Sequence, residues 1–140
     1  MSLDEKAFLN LEGHSGNVVS VGFINESNTL YSGSEDGTVK LWDLRSNKWI
    51  ESLECGGAVN TATIHPNRVD IFSGDQNGCV KIWDLKKMRC RDEFTPSHES
   101  AAVRSISLVR KIIIIILRSL SDNIVSTDYN YCLQRCFRLS

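Results

Sequence analysis

The chain has 140 residues, of which 16 are Lys or Arg, 17 are Asp or Glu and 41% are hydrophobic. These values are typical of a soluble globular protein with one domain, and the normal apolar content argues against a largely disordered chain. Because the net charge is only −1, nucleic-acid binding through bulk positive charge is also disfavoured.

The sequence does not indicate membrane insertion or secretion. Its longest apolar run, at 112–117, has six residues, whereas roughly 20 are needed to cross a bilayer. The N-terminal residues Met1 to Glu5 lack the basic start and the apolar stretch of a signal peptide. A cytoplasmic protein without an integral membrane segment is therefore expected.

Metal and cofactor sites are not expected either. The five cysteines are an odd number without a Cys-x-x-Cys pair, which favours free thiols. Zinc would need clustered Cys and His ligands, and the three histidines, His14, His65 and His98, are scattered along the chain.

Short apolar segments predict β-strands in two sets of four. In chain order they are 18–23, 29–34, 38–43 and 49–53, then 59–64, 70–74, 79–84 and 90–94, preceded by a further outer strand at 7–11. Asp36-Gly37 and Asn77-Gly78 lie between the second and third strand of each set. Such dipeptides predict a tight hairpin whose backbone needs positive φ.

The two sets are copies of one repeat. At an offset of 41 residues, 29–44 aligns with 70–85, and eight of the 16 pairs are identical. A repeat of this length that ends in Trp-Asp is typical of WD40 repeats, each of which forms one four-stranded propeller blade. Over residues 13–94 the chain therefore resembles the WD40 family, which implies an all-β fold, a partial β-propeller.

A third copy is weaker. Residues 124–136 align with 71–83 at an offset of 53, and five of 13 residues match. The preceding isoleucine run is interpreted either as an apolar insertion at 109–118 or as a buried strand. We expect an open arc of two good blades and one degenerate blade: an outer strand of a preceding blade at 1–12, repeats at 13–54 and 55–95, and a degenerate repeat with the apolar insertion at 96–140.

The resemblance implies roles for polar residues in the repeats. WD40 proteins have a hydrogen-bonded structural tetrad, and the matching residues here are His14, Ser32, Asp36 and Trp42. The second repeat keeps a partial tetrad, Ser73, Asn77 and Trp83, because Cys55 stands where His14 would repeat. Ser, His and Asp also form hydrolase triads, but the spacing matches the structural motif and no Gly-x-Ser-x-Gly elbow is present. No catalytic residue is expected.

Two residues are candidate partner contacts. Trp49 lies on a predicted outer strand, where its ring either anchors a partner or packs against the neighbouring strand. Arg45 completes the stretch Trp42-Asp43-Leu44-Arg45. This stretch resembles the Trp-Asp-x-Arg motif of WD40 substrate receptors for cullin-4 ubiquitin ligases, in which the Arg contacts the adaptor protein.

Longer stretches narrow the resemblance. Glu12-Gly13-His14, Ser34-Glu35-Asp36-Gly37-Thr38 and Ile64-His65-Pro66-Asn67 occur in the order found in the small, G-protein β-subunit-like WD-repeat subunits of target-of-rapamycin (TOR) kinase complexes. The resemblance covers about residues 8–108. It implies a non-catalytic scaffold that docks on TOR kinase, beside other subunits, and stabilises its kinase domain in TORC1 and TORC2, in growth, nutrient and actin-cytoskeleton signalling.

Other interpretations stay open from the sequence. The chain is alternatively a cullin-4 substrate receptor, or a truncated fragment without function. An open arc leaves apolar sheet faces uncovered, and repeat arrays need caps. Self-association of the chain is therefore expected.

Overall fold

The computed structural model describes residues 10–24, 28–95, 102–109, 112–118 and 124–128. These residues form β-strands joined by turns, and the predicted all-β fold is confirmed. The strands are β1 (Val18–Phe23), β2 (Thr29–Ser34), β3 (Thr38–Asp43), β4 (Lys48–Glu54), β5 (Val59–Ile64), β6 (Asp70–Asp75), β7 (Val80–Asp84), β8 (Arg89–Phe94), β9 (Ala102–Val109), β10 (Ile112–Arg118) and β11 (Ile124–Asp128).

The strands build three antiparallel sheets. Sheet 1 has the order β1-β2-β3-β4 and sheet 2 the order β5-β6-β7-β8, so each repeat forms one four-stranded meander. Sheet 3 has the order β11-β10-β9. In sheets 1 and 2 the strands lie within one residue of their predicted bounds, because short β-branched and aromatic segments alternate there with turn residues.

The hairpin between the second and third strand of each repeat depends on its glycine. Gly37 has φ of 90° and Gly78 has φ of 86°, whereas the preceding Asp36 and Asn77 do not have positive φ. Gly37 N–H donates to the Ser34 carbonyl at 3.2 Å, and Gly78 repeats the bond to Asp75. Each turn therefore has four residues, the last of which is a left-handed glycine, so positive φ is needed at one position only.

Sheet 3 settles how the isoleucine run is arranged. The run forms β10, the central strand, which pairs with β9 on one side and β11 on the other. Ile115 on this strand is fully buried, as expected for a buried strand. The alignment of 124–136 with 71–83 predicts that Ile124 lies in a second strand, as Ile71 does. In the structure β11, which contains Ile124, is the third strand of sheet 3 in chain order. The uninterrupted β-branched run supplies the strand that pairs beside β9, and this pairing overrides the weak sequence match.

Two predicted features lie mainly outside the described residues. Of the outer strand expected at 7–11, only Asn10 and Leu11 are described, and they are not in a strand. The last part of the third copy, residues 129–136, is likewise not described.

Sheet 2 is packed between the other two sheets. One apolar cluster joins side chains of sheet 1 to one face of sheet 2: Tyr31, Val39, Leu41 and Leu53 with Val59, Ala62, Ile71 and Trp83. A second cluster joins the other face to sheet 3: Phe72, Val80 and Ile82 with Val103, Ile106 and Ile115. The Ser20 hydroxyl donates to the Ala62 carbonyl at 2.7 Å across the first interface. Sheet 1 is therefore covered on one face, and the candidate site lies on its other face.

Candidate functional site

The four residues expected to form the tetrad of the first repeat lie together. Trp42 Nε1 donates to Ser32 Oγ at 2.7 Å, and Ser32 Oγ lies 2.6 Å from His14 Nε2. His14 Nδ1 lies 2.8 Å from Asp36 Oδ2. The His14 and Asp36 side chains are only 5% and 7% exposed, so the chain of bonds runs from the strands of sheet 1 into the loop before β1 with little access to water.

The Asp36 carboxylate sets the orientation of the His14 ring. Because a carboxylate only accepts, the proton between the two groups lies on His14 Nδ1, and in the neutral ring His14 Nε2 then accepts from the Ser32 hydroxyl. The Thr38 hydroxyl donates to Asp36 Oδ1 at 2.6 Å, and Asp36 also accepts from Ser15 N–H at 3.1 Å and from Thr38 N–H at 2.9 Å. Burial by itself raises the pKa of Asp36, but these bonds outweigh it and hold the pKa well below its usual range.

The second repeat completes its network differently. Trp83 Nε1 donates to Ser73 Oγ at 2.9 Å, as in the first repeat. Cys55 occupies the place of His14, and its Sγ lies 3.7 Å from Ser73 Oγ. Burial raises the pKa of the Cys55 thiol to about 11, so the group stays neutral at physiological pH. Asn77, the third residue expected here, is exposed and lies outside this network. The network instead runs from the thiol to the Leu53 carbonyl, 3.6 Å from Cys55 Sγ.

Asp75 was missed by the sequence reasoning. Its side chain is buried, and Oδ1 accepts from Asn77 N–H and Cys79 N–H, both at 2.9 Å. In the first repeat Asp36 Oδ1 accepts from Thr38 N–H in the same turn. The turn carboxylate has moved by two positions between the repeats, from the third residue of Ser34-Glu35-Asp36 to the first of Asp75-Gln76-Asn77. The Asp at position 75, where the first repeat has Ser34, was the sequence signal that could have identified this residue.

The Ser32, His14 and Asp36 arrangement is not suited to hydrolysis. Ser32 is 4% exposed, and its oxygen is held between the Trp42 indole and the His14 ring. A nucleophilic serine must instead reach a substrate carbonyl beside an oxyanion hole. The bonded set acts as a polar link that ties the loop before β1 to sheet 1.

The face of sheet 1 that faces away from sheet 2 carries a cavity of about 540 Å³. Apolar side chains form much of its lining, among them Leu11, Val18, Val21, Leu30 and Trp42. On this face Val18, Val21 and Phe23 of β1 are 53%, 66% and 57% exposed. The equivalent positions in the second repeat are covered by sheet 1, since Val59 and Ala62 are buried and Ile64 packs against the first apolar cluster.

The candidate partner contacts lie near this face and in a turn. Trp49 pairs across the strands with Trp42, is 48% exposed and has the Lys40 ammonium 4.3 Å from its ring centroid. Gly13 packs beneath it, and a Cβ there would lie 2.9 Å from the Trp49 ring. The ring is thus partly packed and about half exposed. Arg45 is exposed in the β3–β4 turn, where its N–H donates to Asp43 Oδ1 at 2.9 Å.

The described part of the chain offers neither a candidate metal site nor a membrane-spanning helix. They contain no group of three or more His, Cys, Asp or Glu side chains that could hold a metal ion. Within the same ranges, no helix is long and apolar enough to cross a bilayer.

The chain matches the family model "WD domain, G-beta repeat" at residues 6–43 and 48–84, which together are more than half of its length. The chain belongs to the WD40 repeat family. Sheets 1 and 2 are accordingly WD40 blades, and their order is consistent with part of a β-propeller.

Curated WD40 relatives include subunits of TOR complexes. The chain is 46% identical over 63 residues to "Protein LST8 homolog" of Dictyostelium discoideum, covering 45% of this chain and 21% of that protein. It is 47% identical over 60 residues to "Target of rapamycin complex subunit LST8-1" of Arabidopsis thaliana, covering 43% and 20%. It is 42% identical over 97 residues to "Target of rapamycin complex subunit LST8" of Saccharomyces cerevisiae, covering 69% and 32%. The matches span between a fifth and a third of these relatives.

Proposed function

We propose that this chain contributes WD40 blades to a subunit of a TOR kinase complex and acts there as a non-catalytic scaffold. The observation that carries the proposal is its 42–47% identity to three proteins named as LST8 or TOR complex subunits. The site geometry supports a scaffold role, because the polar network of the first blade is sealed inside the sheet while apolar and aromatic side chains remain accessible.

The proposed partner is the TOR kinase itself, joined by other subunits of TORC1 and TORC2. Docking on the kinase domain would stabilise that domain in growth, nutrient and actin-cytoskeleton signalling, in the cytoplasm. The proposed contact is Trp49. Tryptophan is among the residues most often found as anchors of protein interfaces. Contacts with Gly13 and with the Lys40 ammonium hold the half-exposed Trp49 ring in place.

Affinity purification tests the proposal. The tagged chain is expressed in cells of its own source, recovered, and probed for TOR kinase. We expect TOR kinase to co-purify with the wild-type chain and its recovery to fall about tenfold or more with Trp49→Ala, as for an interface anchor. Ile50→Ala, a change at a neighbouring residue that is 52% exposed, is the matched control. Recovery of no TOR kinase with the folded wild-type chain would contradict the proposal.

A second candidate rests on Arg45. The side chain is exposed in the turn that follows Trp42-Asp43, the position that contacts the adaptor in cullin-4 substrate receptors. The same purification separates the two functions. Recovery of the cullin adaptor, and its loss with Arg45→Ala, would support the receptor function, while recovery of neither protein would favour a fragment without function.

A further inference from the structure

A groove of about 580 Å³ lies between β4 of sheet 1 and the β7–β8 hairpin of sheet 2. In the first repeat the Trp49 ring covers Lys40, whose Nζ lies 4.3 Å from the ring centroid, and Lys40 is buried. In the second repeat Cys90 stands at the position of Trp49. Because a cysteine is much smaller than a tryptophan, Lys81 remains partly exposed and the groove stays open.

Met88, in the turn at one end of the groove, has a backbone conformation that does not suit it. Its φ is 51°, and the equivalent Asn47 of the first repeat has φ of 58°. Asparagine tolerates this left-handed region, whereas a residue such as methionine costs about 1–2 kcal/mol there. A residue held under strain points to a role for its side chain. The Met88 side chain is 39% exposed and lines the groove.

The groove has a basic end and an acidic end. At the β7–β8 turn Lys86, Lys87 and Arg89 are exposed. Asp84 Oδ1 holds this turn by accepting from the N–H groups of Lys86 and Lys87 at 2.9 and 3.3 Å. Glu54 is the last residue of β4 and so lies at the end of the groove that is remote from the turns. An occupant of the groove therefore meets cations at one end and a carboxylate at the other.

The remaining charged residues of the groove are engaged within the chain or directed away from it. Arg91 Nη1 lies 3.0 Å from Asp70 Oδ1, and Lys81 Nζ lies 3.8 Å from Glu93 Oε2. Asp92 pairs across the strands with a residue that packs against sheet 3. Residues paired in this way share one face of a sheet, so the Asp92 side chain is directed away from β4. The polarity of the groove is therefore set by its two ends.

We propose that this groove binds an extended segment of a partner protein in which acidic residues are followed by an aliphatic residue and then by a basic residue. The acidic residues pair with Lys87 and Arg89, the aliphatic side chain packs on Met88, and the basic residue meets Glu54. β8 has six residues, which in an extended chain span about 20 Å, so a segment of similar length fills the groove. The proposal goes beyond the TOR assignment and does not depend on it.

The shape of the site favours a peptide over an anionic membrane. Lipid headgroups present a broad surface, whereas an extended chain can enter a concave groove between two strands and place alternate side chains in it. Met88 also lines the groove itself, where an inserted side chain can pack against it.

Fluorescence anisotropy with a labelled peptide and the whole chain tests the proposal. The probe is Glu-Glu-Asp-Leu-Leu-Gly-Lys-Lys, and Glu-Lys-Leu-Glu-Gly-Lys-Leu-Asp has the same composition with its charges interspersed. At about 0.1 M salt, where charges more than about 10 Å apart are screened, we expect the probe to bind with Kd of about 10–100 μM. The interspersed peptide should bind at least about tenfold more weakly, because its charges do not match both ends of the groove.

Three variants locate the binding. Arg89→Glu should weaken binding of the probe about tenfold or more, because it places a carboxylate beside the acidic residues of the peptide. Lys48→Glu is the matched control, since Lys48 is the equivalent residue of the first repeat and does not line the groove; it should leave Kd within about twofold. Met88→Asn should weaken binding about tenfold through lost apolar contact. It should not unfold the chain, because asparagine suits the positive φ.

Circular dichroism confirms that each variant is folded before binding is measured. Failure of the wild type to bind the probe, equal binding of the two peptides, or binding that both Arg89→Glu and Met88→Asn leave unchanged would each overturn the proposal. Binding to vesicles rich in phosphatidylserine, lost with Arg89→Glu and without binding of the probe, would overturn it in favour of a membrane contact at the basic turn.

Discussion

Sheets 1 and 2 are built from the same repeat but differ in what surrounds them. Val59 and Ala62 of sheet 2 are buried, whereas the equivalent Val18 and Val21 of sheet 1 are more than half exposed. Their polar networks differ too, since His14 links Ser32 to the Asp36 carboxylate, whereas Cys55 links Ser73 to the Leu53 carbonyl and not to the turn. The comparison separates two contributions to the stability of a blade: the hydrogen bonds within its own sheet, and the burial of its face by the neighbouring sheet.

The largest expected effect is the difference in free energy of unfolding between Ile71→Ala and Leu30→Ala. These residues are equivalent in the repeat, but Ile71 is fully buried between sheets 1 and 2 while Leu30 lines the open cavity. Ile71→Ala should lower the free energy of unfolding by about 2–5 kcal/mol, because it leaves an enclosed cavity. Leu30→Ala should cost only about 1 kcal/mol, since water already reaches the site.

Urea denaturation at low protein concentration measures both losses, because self-association would otherwise add to the apparent stability. Met88→Ala, in an exposed turn, should change the free energy of unfolding by less than about 0.5 kcal/mol. Equal losses of unfolding free energy for Ile71→Ala and Leu30→Ala would mean that cover by the neighbouring sheet does not determine how much each substitution destabilises the chain.

A difference of intermediate size is expected between the stabilities of His14→Ala and Cys55→Ala. Removing His14 leaves the Asp36 carboxylate and the Ser32 hydroxyl without their shared partner, which should cost about 1–3 kcal/mol. Removing Cys55 deletes one small thiol while Ser73 keeps its bond from Trp83, so the loss should be about 1 kcal/mol or less. Thermal unfolding followed by circular dichroism orders the two variants. A larger loss for Cys55→Ala would refute the idea that the first repeat depends more on its polar network.

The smallest expected effect is in the pH dependence of stability. Hydrogen bonds hold the pKa of Asp36 below its value in the unfolded chain. The stability that Asp36 contributes is therefore fully present above about pH 4–5 and is lost as pH falls toward the folded-state pKa. Between pH 6 and pH 3 the wild type should lose about 1 kcal/mol more than Asp36→Asn, measured by urea denaturation.

The second repeat provides the reciprocal control for this pH effect. Asn77 stands at the position of Asp36 and is exposed, and Cys55 stands where a histidine would be needed. Asn77→Asp should therefore leave the acid sensitivity close to that of the wild type. If the free energy of unfolding falls with pH equally in the wild type and in Asp36→Asn, then carboxylates other than Asp36 cause the loss of stability in acid.

Much of the fold could be predicted because its information is local. Strand bounds follow from short β-branched segments, and the hairpins follow from glycines that adopt positive φ, as Gly37 and Gly78 do. The contacts of His14 were expected because its motif resembles that of WD40 repeats. Asp75 was missed because a carboxylate can satisfy the same turn from either of two positions, and a residue-by-residue match does not detect that exchange.

The sequence by itself determined two tandem four-stranded sheets, each with a buried tryptophan that donates to a serine, because strand alternation, turn chemistry and side-chain reach act over a few residues. Tertiary structure alone decided that β10 lies at the centre of sheet 3 and that Val59 is buried while Val18 is exposed. Pairing and burial depend on which surface lies opposite a strand, and residues distant in sequence supply that surface.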